Sequence, residues 1–260
     1  SLGGTVVATL PLLAAFLKEE PFEPSPYSPA SRLFWNELFI DVEALPEFAA
    51  SPAAQQLVGS ASFQSRLLAA RERELVDYRE VMTLKREVLE LLAAELFAGT
   101  SGRLAELEGV IQTPGSRLAD YARFRAVCER RRASWWVWPE PLRSGTITPS
   151  DYDLPSMHYH AYVQWVTDSQ LKEFGEWASQ AGPGLYLDLP LGVNSDSYDV
   201  WRERDAFAVD MSAGAPPDPF FPGGQCWGFP PLHPERIRNS GYAYFRDVIR
   251  HHMRHAGILR

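Results

Sequence analysis

The sequence predicts an α/β fold with parallel strands, arranged as a sheet or a barrel, and a helical insertion between its first and later β/α units. Three observations carry this expectation. Residues 185–191 form a short apolar run bounded by glycines, the pattern of a strand buried on both faces. Residues 242–255 read as a helix ended by Gly257, and 258–260 begin another apolar strand directly after it. Between 60 and 97, Leu68, Leu75, Met82, Leu89 and Leu96 recur at a seven-residue spacing with Arg, Glu and Lys between them. That spacing marks a long amphipathic helix or helix pair.

The remaining elements follow in order. Residues 5–10 read as a buried strand, preceded by Gly3 and Gly4 and followed by a polar, proline-rich loop. From 21 to 41 prolines forbid a helix, and Tyr27, Phe34 and Trp35 make an aromatic-bearing surface loop that leads into an extended segment over 38–42. Gly99 and Gly102 end the long helical stretch, and a second helix covers 115–132. Residues 135–143 are an aromatic and proline-rich break. A helix over 158–180 is expected to turn Tyr162, Trp165, Val166, Phe174 and Trp177 to a core. The stretch 194–238 reads as irregular, and connections of that length inside compact domains tend to be functional.

Composition narrows the function. The chain has 260 residues, 45% hydrophobic and 22% charged, ample for one folded domain with a substantial core. A net charge of −8 argues against binding to nucleic acid or anionic lipid, which requires a basic surface. Cys128 and Cys226 form no CxxC pair, so neither zinc nor a disulfide framework is suggested, and a reducing cytoplasm is the default. The apolar run between Val6 and Leu17 lacks a basic flank and is too short to span a bilayer.

Four blocks carry a more specific signal: SPYSPASRLFWNELFIDVE, LDLPLGVNSDSYDVW, GAPPDPFFPGGQCWGFPPL and the closing HAGILR. In order and approximate spacing they resemble the 4-alpha-glucanotransferases (amylomaltases, disproportionating enzymes) of glycoside hydrolase family 77. The resemblance implies an α/β fold that is a partial (β/α)8 TIM barrel with a helical insertion subdomain. Residues 1–45 would hold the first barrel strands and a sugar-side loop, 46–150 the insertion, and 151–260 further β/α units with a long substrate loop over 194–238. It also implies cytoplasmic transfer of α-1,4-linked glucan segments between maltodextrins, with no cofactor or metal.

That chemistry is retaining. One carboxylate attacks the sugar and a second protonates the leaving oxygen, the pair flanking the scissile bond at roughly 5–5.5 Å. In the resembled family the nucleophile is the Asp of an R-x-D motif. Arg260 matches its Arg, so no catalytic residue is expected within this chain, which is read as a fragment from the first strand to the start of the fourth. The 260 residues alone are then expected to be inactive, with Arg260 an unpartnered cation, and open strand edges predict association or poor solubility. Tyr27, Asp218, Gln225 and Trp227 match sugar-contact positions, and Asp188 sits where barrel strands carry function. With Arg260 these make six substrate-binding candidates. Pro219 and Phe229 depart from the family's DYF and GNP patterns, which bears on loop shape.

Other readings of the residues stay open: an α-amylase-type glucan hydrolase, or a carbohydrate-binding remnant without catalysis. Asp196 and Asp199 read as turn and helix-cap residues. His251 and His255 sit one helical turn apart but lack an acidic companion, so a cationic contact with the helix C-terminus is preferred to a metal site. Residues 129–132, ERRR, read as a solvated helix end.

Overall fold

The computed structural model describes residues 6–18 and 20–260 and is mostly helical. A short strand β1 (Val7–Ala8) is followed by an irregular segment. Helices α1 (Pro46–Ala50), α2 (Pro52–Gly59), α3 (Ala61–Arg71), α4 (Tyr78–Ala98), α5 (Gly102–Gln112), α6 (Arg117–Arg131) and α7 (Glu140–Arg143) come next. Then come α8 (Leu154–Ala181), β2 (Leu185–Leu187), α9 (Tyr198–Arg202), β3 (Gly214–Ala215), β4 (Gln225–Cys226), α10 (Pro234–Asn239), α11 (Ala243–Met253) and β5 (Ala256–Leu259).

Local chemistry explains the helix starts. The side chains of Ser51, Ser60, Asp77, Ser101 and Ser116 each accept a hydrogen bond from the backbone N–H three residues on, at the head of α2 through α6. Packing then holds the helices. One face of α8 lays Tyr159, Tyr162, Val163 and Val166 against Leu84, Val88, Leu89 and Leu92 of α4. Met157 and Ala161 join a second cluster with Phe124, Val127 and Trp201. Leu89 and Leu92 are fully buried, each worth about 1.5–3 kcal/mol of transfer free energy.

Beside this body lies a three-stranded parallel sheet in the order β1-β2-β5, and α11 packs against β5. Register is Val7↔Leu185 and Leu187↔Leu259. The pairing runs past the strand ends, since Arg260 N–H donates to Leu187 O and Leu189 N–H donates to Arg260 O, both at 3.0 Å. Gly257 is required where β5 begins: a Cβ there would lie 1.6 Å from the Pro183 carbonyl oxygen. A separate antiparallel pair, β3 and β4, projects from the long connection between β2 and α11.

Several expectations change. Thr5 lies outside the described residues, and the first strand is two residues long with Val6 and Leu10 exposed, because only one neighbouring strand pairs with it. The segment over 38–42 is no strand. A 3₁₀ turn, Glu37–Phe39, is closed by Asn36, whose side chain accepts from Leu38 N–H, so β5 is the third strand of the described sheet. Phe34 and Trp35 are core residues. The heptad stripe holds only in its second half: Met82, Leu89 and Leu96 are buried, while Leu68 and Leu75 are exposed where the chain leaves α3 for the turn before α4. Gly102 begins a helix, α5, that the periodicity did not reveal. Phe174 and Trp177 face outward, because the face of α8 near the sheet belongs to Gly175, where a Cβ would come within 2.9 Å of His255 O. The connection over 194–238 contains α9, the β3–β4 pair and α10.

Candidate functional site

The C-terminal ends of β2 and β5 lie side by side, which sets Asp188 next to Arg260. Parallel strands are held in this register by the main-chain bonds around Leu187 and Arg260, and in α/β folds such strand ends are where ligands meet the chain. Arg260 Nη1 stands 3.8 Å from Asp188 Oδ2. The same oxygen accepts a 3.1 Å hydrogen bond from the Tyr27 hydroxyl, contributed by a loop 161 positions away. Arg260 is therefore a partnered cation, contrary to the sequence expectation. Asp188 supplies a neighbouring negative charge that a linear reading could not see. Tyr27 and Arg260 are both open to solvent, their neighbour Asp188 only slightly so. The anionic acceptor also pushes the Tyr27 phenol above its ordinary ionisation range.

The Tyr27 loop is fixed by the turn that follows β2. Asn194 N–H donates to Pro29 O at 3.1 Å, Tyr198 N–H to Ala30 O at 2.9 Å, and the Asn194 amide to Ser28 Oγ at 3.2 Å. Beneath lies Asp199, fully buried, which accepts from the Ser31 hydroxyl, from Arg32 N–H at 2.8 Å and from the Tyr244 hydroxyl at 2.6 Å. Arg32 in turn donates to Tyr244 Oη and to the carbonyls of Pro190 and Leu191, just past Asp188. Asp199 is thus a hub inside α9, whose cap is Ser197, and not itself a cap residue. Sequence reasoning missed this support. The only signal was SRLFW, where a charged side chain is embedded in an apolar run.

The other candidates stand on the hairpin. Asp218 Oδ1 accepts from the N–H groups of Phe220 and Phe221 at 2.8 and 2.7 Å, which shapes the loop tip. Trp227 Nε1–H donates to Gln225 Oε1 at 3.2 Å, and Trp227 is 42% exposed. So Tyr27, Asp188 and Arg260 form one contact group, Gln225 and Trp227 a second, and Asp218 bonds within its own turn.

Away from these candidates, several charged groups are already paired. A cavity of about 620 Å³ lies among α5, α6, α8 and α11, lined by Trp35, Trp165, Arg117 and Arg254 among others, and none of the six candidates reaches it. Its cations are already matched, Arg117 to Asp247 at 2.8 Å and Arg254 to Asp168 at 3.6 Å. His251 and His252 are buried beside Trp35, and burial pushes the first well below its ordinary range and the second down to about 4. They are neutral rings, which corrects the cationic helix-terminus reading for His251, while His255 Nε2 lies 3.0 Å from Asp168 Oδ1. Glu129 is likewise no solvated helix end. It accepts from both terminal nitrogens of Arg86, from the Ser156 hydroxyl and from His160 Nε2. Burial opposes its charge, yet His160 and Arg86 together hold it far below the carboxylate range. His160 is itself buried and pushed down, so Arg86 is the cation of the group. Among the described residues no cluster of three or more His, Cys, Asp or Glu could hold a metal ion, and no helix is long and apolar enough to cross a membrane.

Comparison with known proteins gives one answer. The family model described as 4-alpha-glucanotransferase matches residues 1–260. A 4-alpha-glucanotransferase of Mycobacterium tuberculosis is 33% identical over 269 residues, 99% of this chain but 37% of that protein. The crystal structure of amylomaltase from Corynebacterium glutamicum superposes with a TM-score of 0.79 at 29% identity, covering 99% of this chain and 35% of its own. Amylomaltase from Streptococcus agalactiae, solved with acarbose, shares the fold at TM-score 0.76 and 22% identity, over 96% of this chain and half of the other. The chain therefore spans well under half the length of the curated relative.

Proposed function

Since the chain belongs to the 4-alpha-glucanotransferase family, we propose that it forms the glucan-contacting part of an enzyme that passes α-1,4-linked segments between maltodextrins by a retaining double displacement. The observation that carries this reading is the convergence of Tyr27, Asp188 and Arg260 at the ends of two parallel strands. In the proposed enzyme these strands are part of a (β/α)8 barrel, and the attacking and protonating carboxylates come from outside these 260 residues.

The roles follow from the chemistry of each group. An ionised Asp188 accepts hydrogen bonds only, so it receives sugar hydroxyls, with Tyr27 holding one of its oxygens in place. Arg260 brings a cation to the strand end, where a neighbouring positive charge keeps an attacking carboxylate ionised. On the hairpin, Gln225 and Asp218 supply amide and carboxylate partners for hydroxyls, and the open Trp227 indole covers an apolar sugar face. Transfer in place of hydrolysis needs water kept from the covalent intermediate, and aromatic loop residues such as Phe220, Phe221 and Trp227 suit that task. Acarbose in the streptococcal amylomaltase supports an oligosaccharide as the ligand class.

The test is product analysis. The full natural chain incubated with maltotriose is expected to yield glucose together with a ladder of longer oligomers. Growth of reducing ends without the ladder would identify a hydrolase and overturn the proposal.

A further inference from the structure

The hairpin and the strand end meet through one ring. Gly192, buried four positions after Asp188, lies so close beneath Phe229 that a Cβ on it would stand 2.1 Å from Cδ2, 2.3 Å from Cε2 and 2.5 Å from Cγ of that ring. No side chain fits there unless the ring moves. The floor under this contact is stiff, because Arg32 bonds the Pro190 and Leu191 carbonyls at 3.3 and 3.0 Å and Val193 is fully buried.

On its other side Phe229 belongs to the hairpin. Its carbonyl accepts from Ala213 N–H at 2.9 Å, and Ala213 O accepts from Trp227 N–H at the same distance. The rings of Trp227 and Phe229 stack with centroids 6.0 Å apart and planes 28° from parallel. Trp227 then holds Gln225. A continuous set of contacts runs from the segment after Asp188, through Gly192 and Phe229, to the indole and amide of the hairpin.

We infer that Phe229, seated on Gly192, is a positioning residue that docks the Gln225–Trp227 hairpin against the strand end, so that two separate groups of sugar-contact residues face one glucan. Phe229 need not touch the sugar. It acts through Trp227, and the inference rests on the glucan-transfer reading above. An aromatic ring on a bare Cα is a good clasp for this purpose, because it gains contact area without ordering a flexible side chain and is lost by adding one methyl group.

The experiment is a double-mutant cycle in the full natural chain with Gly192→Ala, Phe229→Ala and both together. Two readouts are taken: hydrogen exchange of the Ala213 and Trp227 amides, and kcat and KM with maltotriose. Each single change is expected to speed exchange of those amides by about tenfold or more and to raise KM by a similar factor, with kcat falling about twofold at most. The double variant should match Phe229→Ala alone, since the added methyl then meets no ring. Phe229→Ala, at a half-buried site, serves if Gly192→Ala does not fold.

Unchanged exchange in a folded single variant, or a double variant showing the sum of the two effects, would overturn the clasp. Faster exchange with an unmoved KM would overturn the positioning role. A wild-type chain that turns over no maltodextrin would instead sink the glucan reading, and the exchange result would still decide whether the ring docks the hairpin.

Discussion

The helical body and the strand-end rim treat a carboxylate in opposite ways. In the body, both oxygens of Glu129 are taken, by Arg86, Ser156 and His160. At the rim, Asp188 has one phenol at 3.1 Å and one guanidinium at 3.8 Å, both on side chains that water also reaches. A closed network fixes a fold and has nothing left for a ligand. An open one is held well enough to point in one direction and keeps acceptor capacity free. Asp199, eleven positions from Asp188 in the same sequence block, falls on the closed side, so acidic character in that block says little about role.

The sharpest break of this comparison is to remove each carboxylate in turn. Glu129→Ala leaves Arg86, whose side chain is 11% exposed, with the half-exposed Glu90 and the Tyr159 ring face at 4.4 Å as its partners, and is expected to cost about 3–5 kcal/mol of stability. Asp188→Ala frees two groups that return to water, and is expected to cost about 1 kcal/mol or less while weakening maltodextrin binding about tenfold or more. Urea unfolding together with glucan titration of both variants decides the matter. Equal stability losses would erase the distinction between body and rim.

Next in size is a pH effect seated on α11. His252 donates through Nδ1 to Val248 O at 2.9 Å, and its buried Nε2 has no partner, so protonating that nitrogen adds an unsolvated charge. Burial lowers its pKa to about 4, against about 6.5 when unfolded. Between those values the unfolded chain binds the extra proton. Stability is therefore full above about pH 6.5 and falls on acidification towards pH 4, by about 2–3 kcal/mol from this ring. His251, similarly depressed, adds a loss of the same sign. In His252→Phe the slope between pH 6.5 and 4 should flatten, and an unaltered slope would show that the ring does not titrate with unfolding.

What could be read in the sequence divides along the same line. The seven-residue spacing found α4 because Met82, Leu89 and Leu96 pack, and failed at Leu68 and Leu75 because a turn resets the phase before α4. α5 was missed although Ser101 caps it, since a serine among glycine and threonine looks like a loop until its bond to Leu104 N–H is seen. Of the rim, the motifs gave Tyr27 and Arg260, and the predicted strand end gave Asp188, as separate candidates. Their contact depends on two carbonyls, Pro29 and Ala30, taking the N–H groups of Asn194 and Tyr198, and main-chain bonds between distant loops leave no trace in side-chain pattern. Arg260 looked partnerless for the same reason.

The smallest effect tests the rim most directly, through the ionisation of one phenol. Asp188 raises the Tyr27 pKa chiefly by accepting its hydrogen bond, and Arg260 pulls it the other way. In Asp188→Asn the phenol is expected to titrate closer to its ordinary value near 10, and in Arg260→Ala further above it. The midpoint is read from the Tyr27 ring-carbon resonance as pH is raised through the alkaline range. Opposite displacements require all three groups to sit within reach of each other in solution. Displacements of the same sign, or none, would leave Asp188 and Arg260 as neighbours along the strands without a shared site. A maltodextrin that binds there must displace or accept the same bond, so saturating ligand should move the midpoint in wild type and leave it still in Asp188→Asn.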